Sequence, residues 1–426
     1  MQSVQKKLKV LFISDHPLST SGVGSQARFL INGLLATGRY TFRCFGAALK
    51  HDNLQVQAAN EDFIIKPTEG FGDINLIRQV LVSEKPDAMF IFTDPRFFQH
   101  VFFMEDEIHQ VCPIAYWHLW DNSSLGTEPS YNKPLYDSCD VINCINYPTY
   151  EFVSKWYPET TRYVPHAVPK DLYFPVKNAA DVQNYRRAIV GQQRMNDFIV
   201  LWVGRNAKRK NPGDIVQSFK LFLDELQAKH GHRNSTLVMH TDPHDEQGPD
   251  LIQVVEKFGV ADKIVFTHDR IDFQKMNVLY NACDVGINKS CAEGFGLPIL
   301  ETKQCGKPVI AIKTGGLSRQ VEDQETGEQF GVALDPEVRN LVGTQSVPWI
   351  YDDFVSNKTF ADALMKVYEM GKEGRASVGE RAAAHVAKNY DINNVVKQWD
   401  ETLTELVQKW RAKQMPNNKR WVGVEL

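Results

Sequence analysis

Glu293 and Glu301 bracket the stretch of this 426-residue chain with the most chemical content, Glu-Gly-Phe-Gly-Leu-Pro-Ile-Leu-Glu. Gly294 and Gly296 let the loop turn, and Pro298 suits a first helical position, where its missing N–H costs nothing. The spacing predicts a helix over Pro298–Cys305, stopped at Gly306 with Pro308 soon after. Glu293 then lies on the loop and Glu301 near the end of the first turn, both on the side that the helix N-terminus faces. Carboxylates accept from vicinal hydroxyls and a bare helix N-terminus favours an anion, so the constellation suits sugar rings with phosphates between them. An acid placed for the helix dipole alone would account for Glu301 but not for the Glu-Gly-Phe-Gly run.

A second group follows the apolar run Phe198–Val203: Gly204-Arg205-Asn206-Ala207-Lys208-Arg209-Lys210. Arg offers a bidentate fork and Lys a compact charge, so this loop suits a diphosphate. A solvated basic loop is the plainer reading of such a cluster, and its place at a strand end favours the diphosphate. Gly22 and Gly24 permit a tight turn ahead of a helix whose N-terminus favours an anion, and Gly315-Gly316 makes another permissive loop. The first pair is not a dinucleotide fingerprint, since Ala27 stands where the last glycine belongs. His118 sits among Tyr116, Trp117 and Trp120, either as a satisfied structural histidine or as part of a ring-lined sugar pocket.

The elements that must position these residues are short apolar runs alternating with amphipathic stretches. Strands are expected at Lys9–Ser14, Thr41–Gly46, Ala88–Thr93, Ile114–Trp117, Val141–Ile145 and Tyr163–Pro165. A second series runs Phe198–Val203, Thr236–His240, Lys263–Thr267, Val285–Asn288 and Pro308–Ile312. Nearly all-apolar strands alternating with helices imply parallel sheets covered on both faces, and two series imply two doubly wound α/β domains. The seam is read at Pro165–Asn184, and helices are expected after Leu334.

Composition fits that outline. Hydrophobic content of 43% with 23% charge is that of a globular chain, and a formal net charge of −4 provides no global field for nucleic acid or anionic membrane. The apolar run after Lys6, Lys7 and Lys9 is too short for a signal peptide, and no window approaches a membrane span. Seven cysteines without a C-x-x-C pattern read as reduced core thiols of a cytoplasmic protein.

Together these motifs resemble the retaining glycosyltransferases of family four (glycosyl transferases group 1), which have the GT-B fold. The resemblance is best over residues 197–330, through Val203-Gly204-Arg205, Lys210, Glu293 to Glu301, and Gly315-Gly316; the N-terminal half matches in outline, through Gly22, Gly24 and His118. It implies an N-terminal Rossmann-like domain over 1–168 on the acceptor side. A C-terminal Rossmann-like domain over 185–390 would take the donor, and a helix and tail over 391–426 would pack back on the first domain. Arg205 and Lys210 resemble the pair that neutralises the donor diphosphate. Glu301 is similar to the carboxylate that holds the ribose hydroxyls, and Glu293 to the residue at the transferred sugar. Phe295, Gly296 and Leu297 would support sugar and phosphate through their amides, with Gly204 beside them. His118 resembles the histidine that leans over the donor sugar, and Gly24 the loop closing on it.

The chain departs from the family pattern in three places. His166-Ala167-Val168-Pro169 replaces a common Asn-Gly-Val-Asp, Arg319 replaces a glutamate after the Gly-Gly loop, and Thr302 replaces an alanine. No Asp-x-Asp occurs, so metal-independent transfer from a UDP-, GDP- or ADP-sugar is expected, with no cofactor. The acceptor is unassigned, and no obligate protein partner is evident. The competing readings are an epimerase or phosphorylase of the same fold, a nicotinamide oxidoreductase, and a binding module. The segment from Lys409 to Leu426 interleaves cations with Trp410 and Trp421; it reads as a solvated segment folded back on the first domain, or as a weak contact with membrane or nucleic acid.

Overall fold

Short apolar runs form strands here because both faces of each sheet are covered. The structure is a computed structural model describing residues 6–19, 21–47, 55–122, 128–267 and 272–413. The first sheet contains β1 (Leu8–Asp15), β2 (Tyr40–Ala47), β3 (Gln57–Asn60), β4 (Phe63–Pro67), β5 (Ala88–Thr93), β6 (Ile114–His118), β7 (Val141–Cys144) and β8 (Thr161–Tyr163). Their order is β3-β4-β2-β1-β5-β6-β7-β8, parallel except where β3 meets β4. The second contains β9 (Phe198–Val203), β10 (Ser235–His240), β11 (Ile264–Thr267), β12 (Val285–Asn288), β13 (Val309–Ile312) and β14 (Gly331–Leu334), in the order β11-β10-β9-β12-β13-β14 and parallel throughout. An antiparallel hairpin, β15 (Val338–Val342) and β16 (Ile350–Phe354), follows.

Alternation along β1 divides its side chains between two cores. Val10 and Phe12 pack with Trp399 and Leu403, whereas Leu11 and Ile13 pack with Phe98, Ile108 and Tyr136. In β9, Phe198, Val200 and Trp202 face Ile215, Phe219 and Phe222, while Ile199 and Leu201 face the core between the domains. Each such fully buried side chain contributes about 1.5–3 kcal/mol of transfer free energy.

The chain leaves the first sheet after β8 and re-enters secondary structure at the helix Ala179–Val190, which begins inside the stretch Pro165–Asn184 read from sequence as a seam and runs beyond it. That helix buries few apolar groups. Arg186 anchors it instead, donating to the Met195 carbonyl and pairing with Asp284, contacts that apolar periodicity cannot reveal. Strands β3, β4, β14 and the hairpin are likewise additions, and β15 is largely exposed and has no buried face for a periodicity argument. At the other end, the helix Ile392–Lys413 buries Val395, Trp399, Leu403, Leu406 and Trp410 along one stripe and lies on the first sheet. The Trp399 ring is 4.3 Å from Phe90, and Trp410 stacks on His109 at 5.2 Å. All seven cysteines are free thiols.

Candidate functional site

Strand order locates the site. In the second sheet the winding reverses between β9 and β12, so the loops leaving those two strands converge on one crevice beyond the carboxyl ends. The first loop carries the basic run and the second carries Glu293. They are stitched together: the Cys291 amide donates to the Arg209 carbonyl at 2.9 Å, and Asn211 Nδ2 donates to the Lys289 carbonyl at 3.0 Å.

Lys210 Nζ donates to Glu293 Oε2 in a direct ion pair. Arg209 Nη1 lies 3.7 Å from the same carboxylate oxygen, and Ser290 Oγ donates to it at 3.2 Å. Glu293 is 7% exposed. Burial pushes its carboxyl up, but Lys210 and Arg209 outweigh that and hold it at about 2. Burial pulls Lys210 below its ordinary value, with Glu293 opposing, and the contact geometry is that of an ionised pair.

The helix after Glu293 runs Leu297–Gln304, one residue ahead of expectation. Its N-cap Gly296 has φ +92°, a left-handed conformation that favours glycine, and no side chain caps it. A Cβ there would also fall 2.4 Å from Leu317. The ring of Phe295 is buried in the core between the domains, 5.0 Å from His166 and 5.8 Å from Tyr390. Glu301 is half-buried, accepts from the Tyr280 hydroxyl, and is pushed by burial up to about 7 against the opposing effect of the Tyr280 and Tyr173 hydroxyls.

Several residues singled out in the sequence take other positions. His118 is fully buried: Tyr116 Oη meets its Nδ1 at 2.9 Å and Tyr136 Oη its Nε2 at 2.7 Å. Burial holds it down at about 3, so it is a neutral, satisfied core histidine that does not reach the cleft. Arg205 turns away from Lys210 and forks onto Asp245 at 2.6 and 3.2 Å; Arg209 stands beside Lys210 instead. Gly22 and Gly24 open the helix Gly22–Ala36 rather than forming a loop. Their lack of a side chain serves close approach: a Cβ on Gly24 would lie 2.6 Å from the His16 carbonyl, and one on Gly22 would lie 3.0 Å from Leu297 across the cleft. Gly315 and Gly316 pack on the glutamate loop itself, with the Gly316 amide donating to the Glu293 carbonyl at 3.0 Å. Gly204 closes β9, its amide on the His240 carbonyl at 3.3 Å.

Two first-domain groups not singled out beforehand meet the glutamate loop. Asp121, beyond the end of β6, accepts from the Gly294 amide at 3.1 Å and pairs with Arg209 at 3.4 Å. Asn146, at the end of β7, donates to the Gly294 carbonyl at 2.8 Å. Asp121 follows His118 by three residues, so the right loop is visible in the sequence although the reaching side chain is not.

The three departures from the family pattern are accommodated locally. His166 joins an aromatic cluster with Trp117, Phe92 and Phe295 between the domains. The guanidinium of Arg319 sits 3.0 Å above the Tyr147 ring of the first domain. Thr302 fits because its neighbour on β12 is Gly286, where a Cβ would come within 2.6 Å of it. Of the basic C-terminal segment, Arg411 pairs with Asp87 at 2.5 Å and Trp410 lies on His109; residues 414–426, including Trp421, lie outside the described residues. Among the described residues no group of three or more His, Cys, Asp or Glu is placed to hold a metal, and no helix is long and apolar enough to cross a membrane.

Residues 187–338 match the family model described as glycosyl transferases group 1. Over 175 residues the chain is 31% identical to the D-inositol 3-phosphate glycosyltransferase of Acidothermus cellulolyticus, covering 40% of this chain and 37% of that protein. It is 23% identical over 281 residues to the N-acetyl-alpha-D-glucosaminyl L-malate synthase of Bacillus anthracis, covering 61% and 68%. Among solved structures, sucrose-phosphate synthase from Thermosynechococcus elongatus superposes with a TM-score of 0.72 at 16% identity, covering 95% of this chain and all of that one (100%). HepE of Anabaena, solved with UDP and glucose, gives 0.68 at 17% identity, covering 94% and 100%. At such identities the likeness to the solved structures is one of fold, and that fold is GT-B.

Proposed function

We propose a donor-and-acceptor chemistry for this chain, whose residues 187–338 match the glycosyl transferases group 1 model: transfer of a sugar from a nucleoside diphosphate to a hydroxyl acceptor, with retention at the anomeric carbon. The observation that carries this reading is the convergence of Lys210 and Arg209 on Glu293 beside a helix N-terminus with no side-chain cap, at the switch point of the second sheet. As the bond to the sugar breaks, negative charge grows on the diphosphate, and preorganised cations and helix amides stabilise that charge without rearranging. UDP is the first donor nucleotide to try, since HepE was solved with UDP and glucose.

Glu293 serves as a sugar-positioning group. A carboxylate held at about 2 by two cations is a poor proton acceptor at neutral pH, so it is no general base. No side chain is assigned as nucleophile; the departing phosphate oxygen takes the acceptor's proton on the face it leaves. Glu301 receives the ribose hydroxyls. Asp121 meets the same loop from the first domain, accepting from the Gly294 amide and pairing with Arg209, and so ties that domain to the sugar-positioning loop. Arg205 joins the diphosphate site by exchanging Asp245 for phosphate, a move its half-exposed side chain permits.

Transfer is metal-independent in this reading. A panel of UDP-, GDP- and ADP-sugars, screened for binding and slow hydrolysis with anomer analysis of the product, tests the donor half. Nucleotide-sugar hydrolysis without transfer to any acceptor in a broad hydroxyl panel would count against a transferase, and activity lost to EDTA and restored by Mg²⁺ or Mn²⁺ would refute metal independence.

A further inference from the structure

Glu301 is flanked by two tyrosines from different parts of the chain. Tyr280, on the helix Phe273–Ala282, donates to its Oε2. Tyr173, on the segment joining the two domains, packs against Tyr280 and acts electrostatically on the same carboxylate. The two rings are buried and stand edge to face with centroids 5.9 Å apart. The joining segment is fixed to that helix by paired asparagines. Asn277 accepts from the Phe174 amide at 3.0 Å, and Asn281 accepts from the Val176 amide at 2.7 Å while donating to the Phe174 carbonyl at 2.9 Å. On the far side, Arg28 of the first domain lies 4.7 Å above Phe273 and acts electrostatically on Tyr173.

We propose that Tyr173 and Tyr280 are positioning residues for Glu301: their hydroxyls orient its carboxylate toward the donor ribose, and Tyr173 ties ribose recognition to the segment joining the domains. This rests on the reading of Glu301 as the ribose acceptor. The Tyr280 phenol occupies part of the carboxylate's accepting capacity, and with the Tyr173 ring packed beside it the direction of the rest is fixed. Without the carboxylate, both buried hydroxyls would lose a charged partner, so the arrangement is costly to disturb. Only the anion can accept from both hydroxyls of a diol while keeping the two tyrosines, because a protonated carboxyl exchanges an acceptor for a donor. Burial raises this carboxyl to about 7 and the two tyrosine hydroxyls lower it. The groups around it are Tyr280 and Tyr173, Cys305 at the end of its own helix, and Arg28 behind Tyr173. Ribose recognition is therefore complete above the titration and fades below it. Deleting either hydroxyl leaves burial less opposed and moves that loss to higher pH.

The test measures the affinity of the full chain for UDP and for 2′,3′-dideoxy-UDP by calorimetry between pH 5.5 and 9, with GDP or ADP analogues substituted if the donor panel selects them. Taking the ratio of the two affinities cancels the titration of the phosphates, which both ligands share. In the wild type the ribose preference should be about 10-fold or more at high pH, the scale of hydrogen bonds to a charged group, and approach one at low pH. Tyr173→Phe and Tyr280→Phe should each lower the preference at high pH, where the carboxylate is ionised but no longer oriented, and lose the remainder at a higher pH than the wild type; Glu301→Gln should abolish it. A pH-independent wild-type preference that Glu301→Gln abolishes, or unshifted profiles in both tyrosine variants, overturns the positioning proposal and leaves the ribose assignment standing. A preference that survives Glu301→Gln overturns the ribose assignment as well.

Discussion

At the scale of single residues, the pair Lys210–Glu293 does two things that experiment can separate. It holds a buried carboxylate as an anion, and it places an ammonium where a leaving diphosphate would sit. Lys210→Ala should cut kcat/KM by about 10²-fold or more, as losing one electrostatic stabiliser does. It should also destabilise the fold by about 3–5 kcal/mol, because it strands a buried charge. Lys210→Met combined with Glu293→Gln should recover most of the unfolding free energy in denaturant titrations and none of the turnover; recovered turnover would show that the cation is structural only. The pH dependence has a definite sign. The carboxyl of Glu293 is held at about 2, below its ordinary 4.5, so its stabilisation is complete above that ordinary value and is lost as pH falls toward 2. Melting temperature should therefore drop more steeply between pH 5 and 2.5 in the wild type than in Glu293→Gln.

Among elements, the loop after β12 is rigid because another loop backs it. Gly315 and Gly316 let the chain after β13 lie directly on the Glu293–Phe295 backbone: a Cβ on Gly316 would fall 2.4 Å from Phe295 Cα and 2.5 Å from the Gly294 carbonyl oxygen. Gly316→Ala should lower the melting temperature and weaken donor binding together, since backbone atoms cannot yield as side chains do. Gly213→Ala is the control. It lies in the helix Pro212–His230, where the nearest atom to an added Cβ is 3.8 Å away, and should be neutral or slightly stabilising. Equal effects of the two would mean that the backing contact carries no weight. The Gly-Gly dipeptide is plain in the sequence, yet its use is not. Permissive backbone serves a ligand or a neighbouring loop equally well, and only the packed structure says which.

The whole molecule is held by contacts that cross between distant parts of the chain. Trp399, near the C-terminus, lies against Phe90 and Trp117 of the first sheet, and its fully buried ring anchors the returning helix. Trp399→Ala should cost about 3–5 kcal/mol of unfolding free energy; a loss under about 1 kcal/mol would mean that the helix is a dispensable cover. Across the cleft, the domains meet through Asp121 and Asn146 on Gly294, Arg319 over Tyr147, and Asn122 donating to the Tyr351 carbonyl of the hairpin at 3.0 Å. The hairpin follows the span matched by the family model, so this contact is a feature of the chain beyond the matched region.

By itself the sequence determined the local elements and the donor-side motif. Apolar runs alternating with amphipathic stretches can satisfy their backbones only as covered parallel strands, and Gly-Phe-Gly-Leu-Pro can only turn and then start a helix. Tertiary structure decided which polar side chains meet. Lys210 and Glu293 are 83 residues apart and touch because the winding of the second sheet reverses between their strands. His118 is captured by two tyrosines, Arg205 by Asp245, and Asp121 rather than His118 reaches the glutamate loop. Residue type and spacing along the chain state what a group can do. They do not state which of several equally suitable partners the fold brings within 3 Å.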